Sequence, residues 1–330
     1  MSWIVPVGRA SIARGNHDAR QSRGETMTRV LVTGGAGYIG SILVPALLDR
    51  GFTVTVVDIC MHGQDSLAAV AGHPNFSMAR GDVRSMETMR PLLKDADAII
   101  PLAGIVGAPQ CDRDPVAATS TNLTAVVDML DHISRDQRIL LPVTNSGYGV
   151  GEAGTYCDER TPMRPISLYG RDKVEVERVL LERHPSAVSF RLATVFGMSP
   201  RMRLDLLVND FTYRAVTDGS IVLYESHFKR NYIHVRDVAR AFIHALDRFE
   251  AMKGEPYNVG LSDANLSKLE LCRCIQRHVP SFVIHESSNG KDPDQRDYIV
   301  SNAKIERTGF RAVHSLDEGI RELIKGFTAP

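Results

Sequence analysis

The amino-acid sequence predicts an α/β fold, in which a doubly wound parallel sheet is followed by a smaller, mixed α/β C-terminal lobe. Up to about residue 195, short apolar runs rich in β-branched residues alternate with stretches of helical period. This alternation is typical of a parallel sheet that helices cover on both faces. A glycine-rich turn directly follows the first apolar run, and the alternation loosens after residue 195. These three observations predict one large α/β unit and a separate lobe.

The large sheet takes its predicted strands from the first 195 residues. These strands are Val30–Thr33, Thr53–Asp58, Phe76–Arg80, Ala98–Leu102, Ile139–Thr144 and Val188–Val195. The predicted helices between them are Tyr38–Arg50, Ser85–Lys94, Pro115–Ile133 and Leu168–Arg183. Right-handed crossovers bring the carboxyl ends of parallel strands to one edge of the sheet, where ligands bind.

The C-terminal lobe is predicted from helical patterns that short strands separate. The helices are Leu204–Thr217, Val235–Phe249, Lys268–His278 and Leu316–Phe327, and the strands are Ile221–Tyr224 and Tyr232–His234. We therefore expect a nucleotide-binding domain over residues 27–195, while residues 196–330 are expected to form mainly a substrate lobe packed above the sheet edge.

Residues 1–26 differ from the rest of the chain. They hold four arginines, several glycines and serines, and neither a helical nor a strand period. They predict a disordered leader or an upstream start, with Met27 as the effective beginning. A transit peptide is the competing interpretation, because the segment is rich in arginine and poor in acids.

Composition narrows the classes of partner. The 330 residues carry 39 Lys and Arg against 39 Asp and Glu, which leaves no basic footprint for nucleic acid and no polybasic surface for a membrane. No apolar run approaches the roughly 18 residues of a spanning helix. Five scattered cysteines indicate a reducing, cytoplasmic setting and no metal site. They are Cys60, Cys111, Cys157, Cys272 and Cys274.

The strongest local motif is the glycine-rich turn after the first strand. Gly34, Gly37 and Gly40 form G-x-x-G-x-x-G, with Tyr38 and Ile39 inside it. Glycine at these places permits a tight turn and a close approach of the backbone to a pyrophosphate. The helix that follows offers free N–H groups and a positive dipole end. A strand, a glycine turn and a helix in this order predict a Rossmann-type dinucleotide site.

Further cofactor residues are predicted at the ends of the next strands. Asp58 ends the second strand, where an acidic side chain accepts hydrogen bonds from ribose hydroxyls and so favours NAD over NADP; a solvated strand-end Asp is the alternative. Asp82 suits either the adenine edge or a simple turn. The predicted cofactor residues are Gly34, Gly37, Tyr38, Ile39, Gly40, Asp58, Asp82, Val83, Leu102, Ala103, Gly104, Asn122, Tyr169 and Lys173.

A second motif indicates proton transfer. Tyr169 and Lys173 are four residues apart on a predicted helix and so share one face. A nearby ammonium favours the phenolate and lowers the pKa of the tyrosine, which makes a general base towards a hydroxyl. Thr144, at the end of the fifth strand, adds a hydroxyl at the ligand-binding edge.

Together, Gly34–Gly40, Asp58, Thr144 and the Tyr169/Lys173 pair resemble the extended short-chain dehydrogenase/reductase superfamily, the nucleotide-sugar epimerases and dehydratases. The likeness covers residues 29 to about 327. It implies NAD as cofactor and a catalytic hydroxyl four residues before the tyrosine of a "YG" signature, which is Thr144 before Tyr148. It also implies a homodimer formed through the helices at 115–133 and 168–183.

The same resemblance implies where a nucleotide sugar binds. The stretch from Arg230 to Ala239 resembles the family's "RDFIHVDDVA", whose arginine contacts the diphosphate, and Arg296 resembles a second arginine of this kind. Arg201 and Arg203 suit diphosphate or sugar hydroxyls, or equally a structural salt bridge. The expected substrate residues are Ser146, Thr194, Arg201, Arg203, Arg230 and Arg296.

Two departures from the family pattern bear on chemistry. Pro101 replaces a histidine in the family's "HLAA" strand end. Asn145 and Ser146 stand where 4,6-dehydratases carry Asp-Glu after the catalytic threonine. Water elimination needs a carboxylic acid and a carboxylate base, so 4,6-dehydration is disfavoured.

Four longer segments narrow the resemblance to the GDP-D-glycero-α-D-manno-heptose 4-dehydrogenases of bacterial capsule pathways. They are PLAGIVGAP from Pro101, TNSGYGVG from Thr144, FRLATVFGMSPRMRLDLLVNDF from Phe190, and Arg230–Asp237. The resemblance implies oxidation of GDP-heptose, or a related GDP-hexose, at C4. A 4-epimerase with the same residues is the alternative, and a non-catalytic NAD-binding sensor is a third interpretation.

Overall fold

The computed structural model describes residues 28–63, 65–290 and 295–329, so the predicted leader lies outside the described residues. The strands of this part are β1 (Arg29–Thr33), β2 (Thr53–Asp58), β3 (Phe76–Arg80), β4 (Ala98–Pro101), β5 (Arg138–Thr144), β6 (Tyr156–Cys157), β7 (Ala187–Leu192), β8 (Thr194–Phe196), β9 (Ser220–Tyr224), β10 (Lys229–His234), β11 (Glu255–Val259), β12 (Asn265–Ser267), β13 (Val283–Ser287) and β14 (Ile299–Val300).

Seven of these strands form one sheet in the order β11-β7-β5-β4-β1-β2-β3. All six neighbouring pairs are parallel. The chain runs outward from β1 to β3 and then returns to β4 on the other side of β1, which makes a topological switch point. The predicted α/β fold class with a doubly wound parallel sheet is confirmed.

The helices are α1 (Gly40–Asp49), α2 (Met86–Asp95), α3 (Ala108–Arg113), α4 (Pro115–Thr119), α5 (Ala125–Leu130), α6 (Leu168–Arg183), α7 (Leu207–Thr217), α8 (Val235–Asp247), α9 (Phe249–Met252), α10 (Lys268–Gln276), α11 (Ala303–Arg307) and α12 (Leu316–Thr328). Short 3₁₀ turns cover Asp65–Val70 and Asn145–Tyr148. The predicted helix 115–133 is interrupted by a π-helical turn over Ser120–Thr124 and ends at Leu130. None of the helices in the described ranges is long and apolar enough to cross a bilayer.

The core lies on both faces of the large sheet. Val32 and Ile100 face a cluster that includes Phe190 and Phe242, whose rings pack edge to face at 5.1 Å. Leu31 and Ile139 face a second cluster on the opposite side. Because adjacent strand residues point to opposite faces, the interior of a strand buried on both sides must be apolar, as it is in β1 (residues 30–32), β4 and β5 (residues 139–143).

The C-terminal part does not keep entirely to the predicted lobe. β11 and α8 lie beyond residue 195, yet β11 pairs with β7 and α8 packs in the core of the large sheet. The predicted strand 188–195 divides, because Thr194 pairs with Tyr232 of β10 instead of continuing beside β5. The lobe itself holds the β12-β10-β8 and β13-β9 sheets, with α7, α10 and α12 around a separate core.

Candidate active site

The glycine-rich turn leads into α1 at the carboxyl edge of the sheet. Gly34 has a φ of +67°, and a Cβ there would lie 2.6 Å from the backbone of Ala103. A Cβ on Gly40 would lie 2.3 Å from the carbonyl oxygen of Gly35. The N-cap residue of α1, Ile39, makes no side-chain capping bond. The turn therefore needs glycine, and the positive end of α1 is available to an anion.

The Tyr38 side chain points away from this turn towards the lobe. Its Oη donates to the carbonyl oxygen of Gly197 at 2.7 Å, and its own carbonyl oxygen accepts from Ser199 at 2.8 Å. The sequence predicts that Tyr38 contacts the cofactor, and only its main chain remains available to face a dinucleotide. The side chain joins the large sheet to the lobe.

Asp58 and Asp82 are engaged differently. Asp58 Oδ2 accepts from the N–H of Ala36 at 3.0 Å, and its Oδ1 accepts from the N–H of Cys60 at 2.7 Å. Asp82 pairs with Arg84 at 2.6 Å, and that guanidinium holds the pKa of the carboxyl below its usual range. Asp58 thus supports the glycine turn, whereas Asp82 stabilises the local turn that it forms with Arg84. The ribose and adenine roles of the two remain predictions.

Asn122 acts on the loop after β4. Asn122 lies in the π-helical turn. Its Oδ1 accepts from the N–H of Ile105 at 2.9 Å, and its Nδ2 donates to the carbonyl oxygen of Ile105 at 2.8 Å. A Cβ on Gly104 would lie 2.8 Å from Asn122 Oδ1. Asn122 therefore fixes the path of Leu102–Gly104 past the glycine turn.

The hydroxyl predicted to take part in proton transfer belongs to Thr144, at the end of β5. Thr144 Oγ1 donates to Ser146 Oγ at 2.9 Å and accepts from the Ser146 N–H at 3.1 Å. Arg296 also donates to Ser146 Oγ, across 150 positions of sequence. The structure thus places Arg296, expected on a diphosphate, at the turn that follows Thr144.

Helix α6, which carries Tyr169 and Lys173, packs against this turn. Ser167 caps the helix by accepting from the N–H of Gly170 at 3.1 Å. A Cβ on Gly170 would lie only 3.6 Å from the carbonyl oxygen of Ser146. α6 therefore lies in van der Waals contact with this turn, and a shared site of their residues remains a prediction.

Burial has the largest effect on the pKa values of Tyr169 and Lys173. It raises the pKa of Tyr169 to about 12, although the guanidiniums of Arg203 and Arg296 lower it. Burial likewise lowers the pKa of Lys173 to about 8, against the raising effect of Asp172 and Cys111. Of the two guanidiniums, that of Arg203 has the larger effect on the pKa of Tyr169. The lowering of this pKa by the Lys173 ammonium remains a prediction.

The remaining predicted cations have partners of their own. Arg203 pairs with Asp205, and Arg201 donates to the carbonyl oxygen of Met202. Arg230, 2% exposed, donates to the carbonyl oxygens of Lys229 and Arg296 and lies over the ring of Tyr298. Thr194 is half-buried at the start of β8. Arg230 thus holds the backbone of the segment that carries Arg296.

The residues present fit a dinucleotide at this edge, because the glycine turn leaves no room for side chains and α1 starts without a capping side chain. Residues 30–260 match the model of the NAD dependent epimerase/dehydratase family. The chain belongs to this family. It is therefore an NAD-dependent enzyme, as the sequence predicts. In the ranges that the structure covers, no group of three or more His, Cys, Asp or Glu side chains could hold a metal ion.

Relatives and solved structures share nearly the whole chain. UDP-glucuronic acid decarboxylase 2 of Arabidopsis thaliana is 30% identical over 315 residues, which cover 91% of this chain and 68% of that protein. UDP-glucose 4-epimerase of Thermus thermophilus, solved with NAD, is 25% identical with a TM-score of 0.78, covering 91% and 99% of the two chains. A dTDP-glucose 4,6-dehydratase of Streptomyces venezuelae, solved with NAD, is 26% identical with a TM-score of 0.77, covering 90% and 96%.

Proposed function

We propose that this epimerase/dehydratase family member oxidises C4 of a nucleotide-activated sugar with NAD, giving a 4-keto sugar and NADH. The observation that carries the proposal is the packing of α6, which bears Tyr169 and Lys173, against β5 and the turn that follows Thr144. GDP-D-glycero-α-D-manno-heptose is the proposed substrate, on the strength of the segments at Pro101, Thr144, Phe190 and Arg230.

Tyr169 and Thr144 handle the proton of the C4 hydroxyl. In phenolate form, Tyr169 takes this proton directly or through the Thr144 hydroxyl, which Ser146 orients. Arg203 and Arg296 favour the phenolate because their charges oppose the effect of burial. Bound NAD supplies the hydride acceptor.

The residues that follow Thr144 support a reaction that ends at the ketone without loss of water. Asn145 and Ser146 follow Thr144, and the six residues Thr144–Gly149 include no acid. Loss of water from the sugar needs a proton donor for the leaving hydroxyl and a base for the adjacent carbon. An amide and a hydroxyl supply neither at neutral pH.

In this proposal, the lobe supplies the binding energy that positions the distant sugar carbon. The hydroxyl of Ser199 contacts that of Ser41 at the start of α1, so Arg201, two residues further on, suits the diphosphate. Arg230, proposed for the diphosphate from the family resemblance, also holds the backbone that carries Arg296. Interactions with a remote, non-reacting group can orient the reacting carbon and so raise the rate.

A 4-epimerase is the second candidate, supported by the 25% identity to the Thermus UDP-glucose 4-epimerase. Its reaction passes through the same ketone and then returns hydride to the other face of C4. The Arabidopsis decarboxylase relative fits the same first step, since a C4 ketone makes the C6 carboxylate of a uronic acid a β-keto acid that loses CO₂.

Purified enzyme with added NAD, assayed separately with GDP-heptose, UDP-glucose and UDP-glucuronic acid, tests the proposal. Stoichiometric NADH and a ketone from GDP-heptose are expected. A sugar inverted at C4 without net NADH would instead establish the epimerase. Release of CO₂ from UDP-glucuronic acid, with no reaction of GDP-heptose, would replace the proposed substrate with a uronic acid.

We further propose a cytoplasmic homodimer that forms through the helices at 115–133 and 168–183. Val116 is 80% exposed on α4, an unusual setting for an apolar side chain. Light scattering is expected to give the dimer mass for the wild type and the monomer mass for Val116→Lys. A monomeric wild type contradicts the proposal.

A further inference from the structure

Glu177 and Arg191 form a buried ion pair between α6 and β7. Arg191 Nη2 lies 2.6 Å from Glu177 Oε1, and the two side chains are only 8% and 5% exposed. Ser189 also donates to Glu177, at 2.6 Å. Separating such a pair would leave a buried charge without a partner, so the geometry is held tightly.

Glu177 lies on the same face of α6 as the candidate catalytic residues. Tyr169, Lys173 and Glu177 follow one another at intervals of four residues, a spacing that shares one helix face. Lys173 and Glu177 are both buried. The ion pair is therefore one helical turn from Lys173 and about two turns from Tyr169.

The guanidinium of Arg191 also reaches the turn that follows Thr144, residues 145–148. Arg191 Nη1 donates to Tyr148 Oη at 3.1 Å, and the guanidinium lies 5.6 Å from the centroid of that ring. Tyr148, 2% exposed, ends the turn that follows Thr144, and its hydroxyl donates to Asn258 at 2.7 Å. Arg191 thus contacts both segments that carry the proposed proton-transfer groups.

We infer that Glu177, Arg191 and Tyr148 are positioning residues that fix Tyr169 and Lys173 relative to Thr144; we call them the Glu177–Arg191–Tyr148 brace. The inference rests on the proposed C4 oxidation, because Tyr169 and Thr144 must approach the same hydroxyl. A displacement of about 1 Å in such a site can slow a reaction roughly 100-fold.

Glu177→Gln, Tyr148→Phe and the double variant test the brace. Transient NADH formation, the KM of the sugar and thermal unfolding are measured with a nucleotide sugar that the wild type converts. Each single change is expected to lower kcat about 10–100-fold while KM changes by less than about threefold. The kcat of the double variant is expected to be only slightly lower than that of the more impaired single variant, because both substitutions disrupt the same brace.

A paired replacement keeps the test decisive if Glu177→Gln does not fold. Glu177→Leu with Arg191→Met removes both buried charges together, so neither is left without a partner. It is expected to fold and to show the same loss of kcat. Arg178→Met is the matched control on α6: it breaks exposed pairs with Glu175 and Glu182 and is expected to leave kcat unchanged.

Wild-type kcat in the folded variants, or additive losses in the double variant, would overturn the brace. Failure of the proposed function shows in the products of the wild-type enzyme. Failure of the brace shows only in the ratio of variant to wild-type kcat, whichever sugar reaction is followed.

Discussion

The carboxylate of Asp58 accepts a hydrogen bond from the backbone N–H of Ala36 at 3.0 Å, so the acidic residue at the end of β2 supports the glycine turn directly. The same side chain is the proposed partner of the adenosine ribose. If Asp58 binds the ribose as proposed, one carboxylate serves two requirements of a dinucleotide site, the shape of the turn and the choice of cofactor.

Two variants at Asp58 separate these requirements. Asp58→Asn keeps an oxygen for the N–H of Ala36, but it loses the acceptor for the N–H of Cys60 and the charge that repels a 2′-phosphate. NAD affinity is therefore expected to fall about tenfold while NADP affinity rises. Asp58→Ala also removes the support of the turn and is expected to weaken both cofactors. Isothermal titration measures both affinities; equal affinities in the wild type and Asp58→Asn would contradict the proposed ribose contact.

Tyr169→Phe removes the proposed base without changing the shape of the site. The kcat is expected to fall about 10²–10⁴-fold, since this is the usual contribution of general base catalysis. NAD binding, measured by fluorescence quenching, is expected to stay near that of the wild type. Undiminished turnover would show that Tyr169 is not the base and would revive the non-catalytic sensor.

Arg203 is expected to set the pH dependence of the reaction. Its charge lowers the pKa of Tyr169, so Arg203→Met raises that pKa further and leaves less phenolate at a given pH. The rise of kcat with pH is therefore expected to move to higher pH in the variant. The measurement is the pH profile of kcat from pH 6 to about 10.

Asp205→Asn is the matched control for this shift. It breaks the ion pair with Arg203 but leaves the arginine charge in place. The profile is expected to stay at the wild-type pH or to move to lower pH. A profile that moves up equally in both variants would show that the ion pair, and not the charge on Arg203, controls Tyr169.

The local parts of the site could be predicted from sequence because each has a short-range signature. The glycine turn, Asp58 and the Tyr169/Lys173 pair all follow from strand, turn and helix patterns within a few residues. The structure confirms the parallel sheet on which these predictions depend. Over β1–β5 the predicted bounds hold to within one residue, as at β4, which ends at Pro101 one residue before the prediction.

Contacts between distant segments could not be predicted in this way. Arg296 meets Ser146 across 150 residues, and Arg191 meets both Glu177 and Tyr148. An arginine looks the same in sequence whether it binds a diphosphate, a hydroxyl or a carboxylate. The four-residue spacing from Lys173 to Glu177 was the one signal that pointed to the brace. No pattern in the sequence predicts that β11 pairs with β7 in the large sheet.

Lys173→Met is expected to stabilise the fold while it abolishes activity. Burial lowers the pKa of Lys173 from its ordinary 10.5 to about 8, so below pH 8 the folded protein bears the full cost of a buried ammonium. Since one pKa unit corresponds to 1.36 kcal/mol, the variant is expected to gain about 3 kcal/mol in free energy of unfolding at pH 7. Loss of turnover with gain of stability is the pattern of a group kept for function.

The pH dependence of this gain identifies its cause. Between pH 8 and 10.5 the unfolded chain keeps the Lys173 proton that the folded chain has lost, so wild-type stability rises with pH in this window. The advantage of Lys173→Met is therefore expected to be constant below pH 8 and to vanish as the pH approaches 10.5. Urea unfolding across this range measures it, with the exposed Lys94→Met as control. A gain independent of pH would assign the effect to packing of the methionine and not to the buried charge.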